Sequence, residues 1–121
     1  SLIDRGIVKA EARRYWEALE DLNRALELAP DRIEAYILRA NAYRELNSME
    51  MATKDVDTAL NMSPDNPDAL FERAVIRYSE NDLSGARADW RRITELIPGT
   101  PLAHSAQVNL DRMDAVLQEG K

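Results

Sequence analysis

Three prolines, Pro30, Pro64 and Pro98, lie 34 residues apart, and the residues before them repeat in register. Twelve positions before each proline stand Ala18, Ala52 and Ala86; twenty-four before stand Gly6, Ala40 and Ala74. Larger apolar residues keep the same phase: Leu22, Val56 and Trp90 at eight before, and Tyr15, Met49 and Leu83 at fifteen before. Ala25 and Ala59 stand five before, where the third copy has Ile93. A fixed period of this length means one supersecondary unit copied along the chain, each copy burying its apolar face against a neighbour. Small residues suit places where two helix axes approach closely, and bulky ones fill the space beside them. Proline ends a helix, because it lacks the N–H and restricts the residue before it.

Each unit therefore reads as a pair of antiparallel helices, with helices near 2–12, 15–28, 33–46, 49–62, 67–80, 83–96 and 101–118. Asp31 with Glu34 has capping-box spacing for the third of these. Asn66-Pro67 and Thr100-Pro101 each place a capping side chain before a first-turn proline. The segment 101–118 carries an apolar stripe at Leu102, Ala106, Leu110, Met113 and Leu117, opposite Gln107, Asp111, Asp114 and Gln118. One apolar and one polar face is what a terminal helix needs to cover the last repeat.

A 34-residue period with small, aromatic and proline positions in this order resembles the tetratricopeptide-repeat family over residues 1–98, the first copy lacking its opening residues. The resemblance implies an all-α, right-handed superhelical solenoid of antiparallel helix hairpins. Its repeats would run about 1–32, 33–66 and 67–100, followed by a capping helix near 101–118, all in a single domain of residues 1–121. Lys9 and Arg77 depart from the family pattern where an aromatic is usual, as Tyr43 is. Asn47 and Asn81 stand in the turn that is often glycine, and asparagine tolerates the left-handed conformation. The abrupt apolar start at Leu2 and Ile3 reads as a piece of a longer protein.

Two charged rows share the period. Arg5, Arg39 and Arg73 lie on the first helix of each pair, and Asp21, Asp55 and Asp89 on the second. They predict a ladder of ion pairs, either within a hairpin or from each Asp to the next repeat's Arg.

Charge and composition narrow the function. A net charge of −6 with acids and bases interspersed argues against nucleic acid, which needs a basic footprint. With no cysteine and a lone histidine, His104, no thiolate zinc site, disulfide or histidine-based triad is expected. The acids around Asp65-Asn66-Pro67-Asp68 and Glu72 lack the spacing and glycine of a calcium loop. Gly85 and Gly99 are isolated, so no phosphate-cradling loop is expected, and Asn61-Met62-Ser63 matches a glycosylation sequon by chance. No apolar run is long enough to span a bilayer. We therefore expect no enzyme, cofactor or metal. Arginine well in excess of lysine fits a GC-rich bacterial genome, with cytoplasm or periplasm as the expected compartment.

In the family that the repeat resembles, the first helices of the hairpins line a concave groove where a partner binds. By phase, its floor here would be Ile3, Ile7, Ile37, Leu38, Asn41, Phe71, Val75 and Tyr78, with Glu34, Asp68 and Glu72 nearer the rim. An apolar floor with an acidic edge suits a peptide or helix with apolar anchors and some basic character. Some members grip chaperone C-terminal tails with a Lys, Asn and Arg clamp. The corresponding places hold Ile3, Ile7, Leu38, Asp68 and Glu72, which argues against that ligand. The alternative is an assembly element, making a homo-oligomer or docking to its own parent chain, favoured if Leu2, Ile3 and Ile7 are left uncovered.

Overall fold

The structure, a computed structural model, describes residues 1–119, and these form seven α-helices and no strand. The helices are α1 (Leu2–Glu11), α2 (Tyr15–Leu28), α3 (Ile33–Glu45), α4 (Met49–Met62), α5 (Pro67–Ser79), α6 (Leu83–Leu96) and α7 (Pro101–Glu119). Each bound lies within one residue of the boundary read from the repeat. No helix among the described residues is long and apolar enough to cross a membrane.

The chain divides into two compact units, Ser1–Pro64 with α1 to α4 and a second beginning at Asp65 with α5 to α7. In the first, α1 packs on α2, α2 on α3 and α3 on α4; in the second, α6 packs on both α5 and α7. The short turns within hairpins fall at Arg13, Asn47 and Asn81, all with φ near +60° (60°, 62° and 66°). A left-handed residue reverses the chain in the least length, at a cost that asparagine tolerates better than arginine.

The small columns are where the helices touch. Ala18, Ala52 and Ala86 are fully buried, as are Ala40 and Ala74. At the corresponding place in the first repeat, a Cβ on Gly6 would stand 3.2 Å from the Leu22 side chain, so that glycine keeps α1 close to α2. Leu22, Val56 and Ile93 are the largest fully buried side chains.

Caps follow the expected residues in two places and not in the third. Asn66 Oδ1 accepts from the Ala69 N–H at 3.1 Å, and Thr100 Oγ1 accepts from the Ala103 N–H at 3.2 Å. Asp31, expected to open α3, does not cap it. The helix starts one residue later, with Arg32 at the N-cap and no side-chain cap. The turn is held instead by the Tyr36 hydroxyl, which donates to the Pro30 carbonyl at 2.9 Å.

α7 only partly fulfils the covering role expected of it. Ala106, Leu110 and Met113 are buried, but Leu117 at the end of the same stripe is exposed, with Val116 beside it. The helix outruns the α5–α6 hairpin on which it packs.

Candidate functional site

The framework of the first-helix faces is a set of buried carboxylates, one per hairpin. Asp21, Asp55 and Asp89 are all buried, and each meets the arginine sixteen residues before it. Arg39 holds Asp55 through two parallel hydrogen bonds, Nε to Oδ2 at 2.8 Å and Nη2 to Oδ1 at 2.7 Å. Arg73 holds Asp89 in the same fork, at 3.0 and 2.8 Å. Arg5 meets Asp21 through one arm at 3.5 Å. The ladder thus runs within hairpins. Its bidentate form fixes the register of first helix against second as well as neutralising a buried charge.

The three carboxylates differ in their second partner. Lys9 Nζ lies 2.8 Å from Asp21 Oδ2, off the axis a hydrogen bond needs, so the contact is ionic. Arg77 donates to Asp89 Oδ2 at 3.0 Å. Lys9 and Arg77 occupy the places where the sequence departs from an aromatic, and those departures supply second cations. In the middle hairpin Tyr43 is retained, and Arg39 stacks over the Tyr36 and Tyr43 rings at 5.7 and 6.0 Å. Arg39 also donates to Asn23 Oδ1 at 3.0 Å, and the hydrogen bond to Asp55 holds its guanidinium pKa above the usual arginine value.

On this framework the expected groove residues take different positions. Ile3 leaves the face altogether. It is buried with Leu22, Ala25, Leu26 and Ala35, and Leu2, Ile7 and Leu38 pack against that cluster half-buried. Leu2, Ile3 and Ile7 are therefore packed rather than left uncovered, so the condition that would favour an assembly role through them is not met. A helix turns 100° per residue, so a phase error of one position moves a side chain from face to core. Ile37 and Asn41 are half-buried, and Glu34 is exposed.

In the second unit Phe71, Val75 and Tyr78 follow one stripe of α5, spaced by four and three residues. Beneath them lies Trp90 of α6. The Phe71 ring meets it edge-on at 6.5 Å between centroids, and the Tyr78 ring meets it tilted at 5.9 Å. Val75, Tyr78 and Trp90 form one wall of a pocket of about 250 Å3, closed by Asn109, Arg112 and Met113 of α7. Asp68 is exposed and Glu72 half-buried toward the start of α5.

Asn109 and Arg112 were absent from the sequence expectation. The signal was present, since adding one period to Val75 and Tyr78 gives these two positions (75 + 34 = 109; 78 + 34 = 112). A second, shallower hollow of about 340 Å3 lies at the α6–α7 turn, lined by Thr94, Pro98, Gly99, Ala103, His104 and Gln107.

Comparison with known proteins fits this geometry. A family model described as tetratricopeptide repeat matches residues 33–66, the hairpin that keeps both Tyr43 and the Arg39–Asp55 fork. The rest of the chain has the fold of tetratricopeptide-repeat domains, an all-α helical solenoid. The first such domain of human RPAP3 shares 22% identity over 99% of this chain and 94% of its own, with a TM-score of 0.82. The first such domain of Spaghetti (RPAP3), bound to the HSP90 peptide SRMEEVD, shares 23% identity over 94% and 90%, with a TM-score of 0.79. PcrH, in complex with the chaperone-binding region of PopD, shares 19% over 94% and 89%, with a TM-score of 0.81. Sequence comparison with curated proteins gives no match.

Proposed function

We propose that residues 1–121 act as one repeat domain whose function is to bind another protein, holding a partner segment along the first helices of its hairpins. The observation that carries the reading is the open pocket on the second unit, where Val75 and Tyr78 stand over buried Trp90. Tyr78 is 46% exposed, a large ring kept at the surface with its neighbours arranged around a hollow. An apolar hollow of that size takes one aliphatic or aromatic side chain as an anchor. Within the first unit Ile7, Ile37, Leu38 and Asn41 are half-buried and Glu34 is exposed.

The first such domain of Spaghetti (RPAP3) holds an HSP90 peptide and PcrH the chaperone-binding region of PopD, and that supports the reading. The partner we propose has apolar anchors with basic residues facing Glu34, Asp68 and Glu72. On this reading a chaperone tail such as SRMEEVD is not the ligand, because Asp68 and Glu72 oppose its acids. The reading assigns no reaction to the chain.

The test is affinity capture with wild type and with Phe71→Glu and Tyr78→Glu variants, their helices verified by circular dichroism. A partner held by wild type and lost from both variants supports the pocket; retention by both moves the site elsewhere. A second reading, assembly with another copy or with the parent chain, is favoured by the exposure of Val116 (59%) and Leu117 (45%) at the end of α7. Sedimentation that depends on concentration, and is abolished by Leu117→Glu, would establish it.

A further inference from the structure

The pocket of the second unit is apolar in its walls but one-sided in its polar groups. Arg112 is exposed at its edge and has no carboxylate partner among the described residues. The nearby acids of α7 are engaged elsewhere: Asp114 accepts from Arg87 Nη2 at 3.1 Å, and Asp111 from the Gln107 amide at 3.0 Å. The half-buried Asn109 amide lines the same hollow. So does Trp90, which is 3% exposed and whose indole N–H finds no acceptor among the described residues. A buried N–H left without an acceptor is a standing cost, and native proteins leave few of them. Arg112 and Asn109 thus bring nitrogen donors to one apolar hollow over Trp90, and no carboxylate belongs to its lining.

We propose that this pocket recognises a peptide carboxylate next to an apolar side chain, with Arg112 as the residue that sets the preference. The inference rests on the docking reading above and names the chemistry of its ligand. The apolar side chain fills the space between Val75, Met113 and the rings of Tyr78 and Trp90. The carboxylate takes the fork of the Arg112 guanidinium, a planar donor pair that matches it in geometry and charge. The Asn109 amide supplies a further donor for the remaining acceptor oxygen. Solvent screens a guanidinium as exposed as Arg112, so its contribution is selectivity more than tight binding.

The arrangement also gives the partner a direction. Asp68 lies in the first turn of α5 and Glu72 one turn on, and Tyr78 stands near its end, ten residues or roughly 15 Å beyond Asp68 along the helix axis. A segment laid along α5 meets acids first and Arg112 last. Its basic residues belong at one end and its acidic residue at the other, with the anchor before it.

Only two tryptophans are present, Trp16 and Trp90, so the indole region of a 15N-labelled chain holds two signals, assigned with Trp16→Phe. Trp16 is 69% exposed on α2 and serves as an internal control. The probes are two capped tetrapeptides, acetyl-Gly-Leu-Asp-Gly-amide and its isosteric Asn counterpart. We expect the Asp peptide to move the Trp90 signal, leave Trp16 unmoved, and bind about five- to tenfold more tightly than the Asn peptide, the size of one partly solvated charge-assisted contact. Arg112→Gln should bring the two affinities together. Equal affinities for wild type, with the Trp90 signal moving, would overturn the carboxylate preference while leaving the docking reading intact. A preference that survives Arg112→Gln would overturn the role of Arg112. No movement of Trp90 with either peptide would overturn the inference as a whole, and the capture experiment decides the docking reading independently.

Discussion

The two units solve the same problem of spare apolar surface in opposite ways. In the first, Ile3 at the start of α1 turns inward and joins Leu22 and Leu26, and Ile7 and Leu38 close over them. In the second, Val75 and Tyr78 stay at the surface around a hollow floored by Trp90. Leu22 and Trp90 occupy the same place in the repeat, so the difference follows from side-chain size at one column. A leucine at that column lets neighbouring chains fold down over it. An indole fills the hairpin from below and holds Phe71 and Tyr78 apart on its face and edge. One repeat geometry thus gives core at one end of the chain and a socket at the other.

The ion pairs show a second contrast. Among the described residues Asp55 meets one arginine, whereas Asp89 meets two. Removing a bidentate cation from a buried carboxylate is costly. We expect Arg39→Ala to lose about 3 kcal/mol of unfolding free energy, the lower end for broken buried pairs because the arginine head is partly solvated. Arg73→Ala should lose roughly half as much, since Arg77 remains on Asp89. Denaturant unfolding gives both values, and equal losses would mean that Arg77 is no substitute.

The faces themselves can be compared by truncation. Ile3→Ala removes buried volume and should cost about 2–3 kcal/mol. Val75→Ala, at a half-buried wall, should cost less than about 1 kcal/mol yet weaken partner capture. If the two cost the same, the pocket is core and the contrast fails.

A smaller effect separates the hairpin turns. Arg13 adopts the left-handed conformation that Asn47 and Asn81 take in the other repeats. Arg13→Gly should stabilise by about 0.5–1 kcal/mol, and Asn47→Gly by little, because asparagine already tolerates that conformation. Thermal melts of the two variants check this directly.

Much of the fold was legible because the repeat presents each position three times. The alanine columns, the helix bounds and the Arg–Asp rows all came from phase alone, and the structure places them as hairpin contacts. Errors arose where a position departs from its column or lies beyond the last copy. Lys9 and Arg77 stood out only as departures from an aromatic column, and are second partners of buried carboxylates. Asp31 has the spacing of a cap, but the Tyr36 hydroxyl holds that turn and α3 begins after Arg32. Ile3 was phased to the groove, although the outcome for its stripe depended on Leu22 in the facing helix. The α7 side of the pocket was missed because that helix was taken only as a cover, so its polar residues were not carried one period onward from Val75 and Tyr78.

The central claim is that a partner docks on the α5 face over Trp90. The chain has no cysteine, so a thiol introduced at any one position is unique. Val75→Cys, Tyr78→Cys, Ile3→Cys and Trp16→Cys variants would be labelled with a maleimide, alone and with the captured partner. The account predicts rapid labelling at 75, 78 and 16, slow labelling at 3, and protection by the partner at 75 and 78 only. Protection at 16 with none at 75 or 78 would contradict it, and would place the partner on the opposite helices.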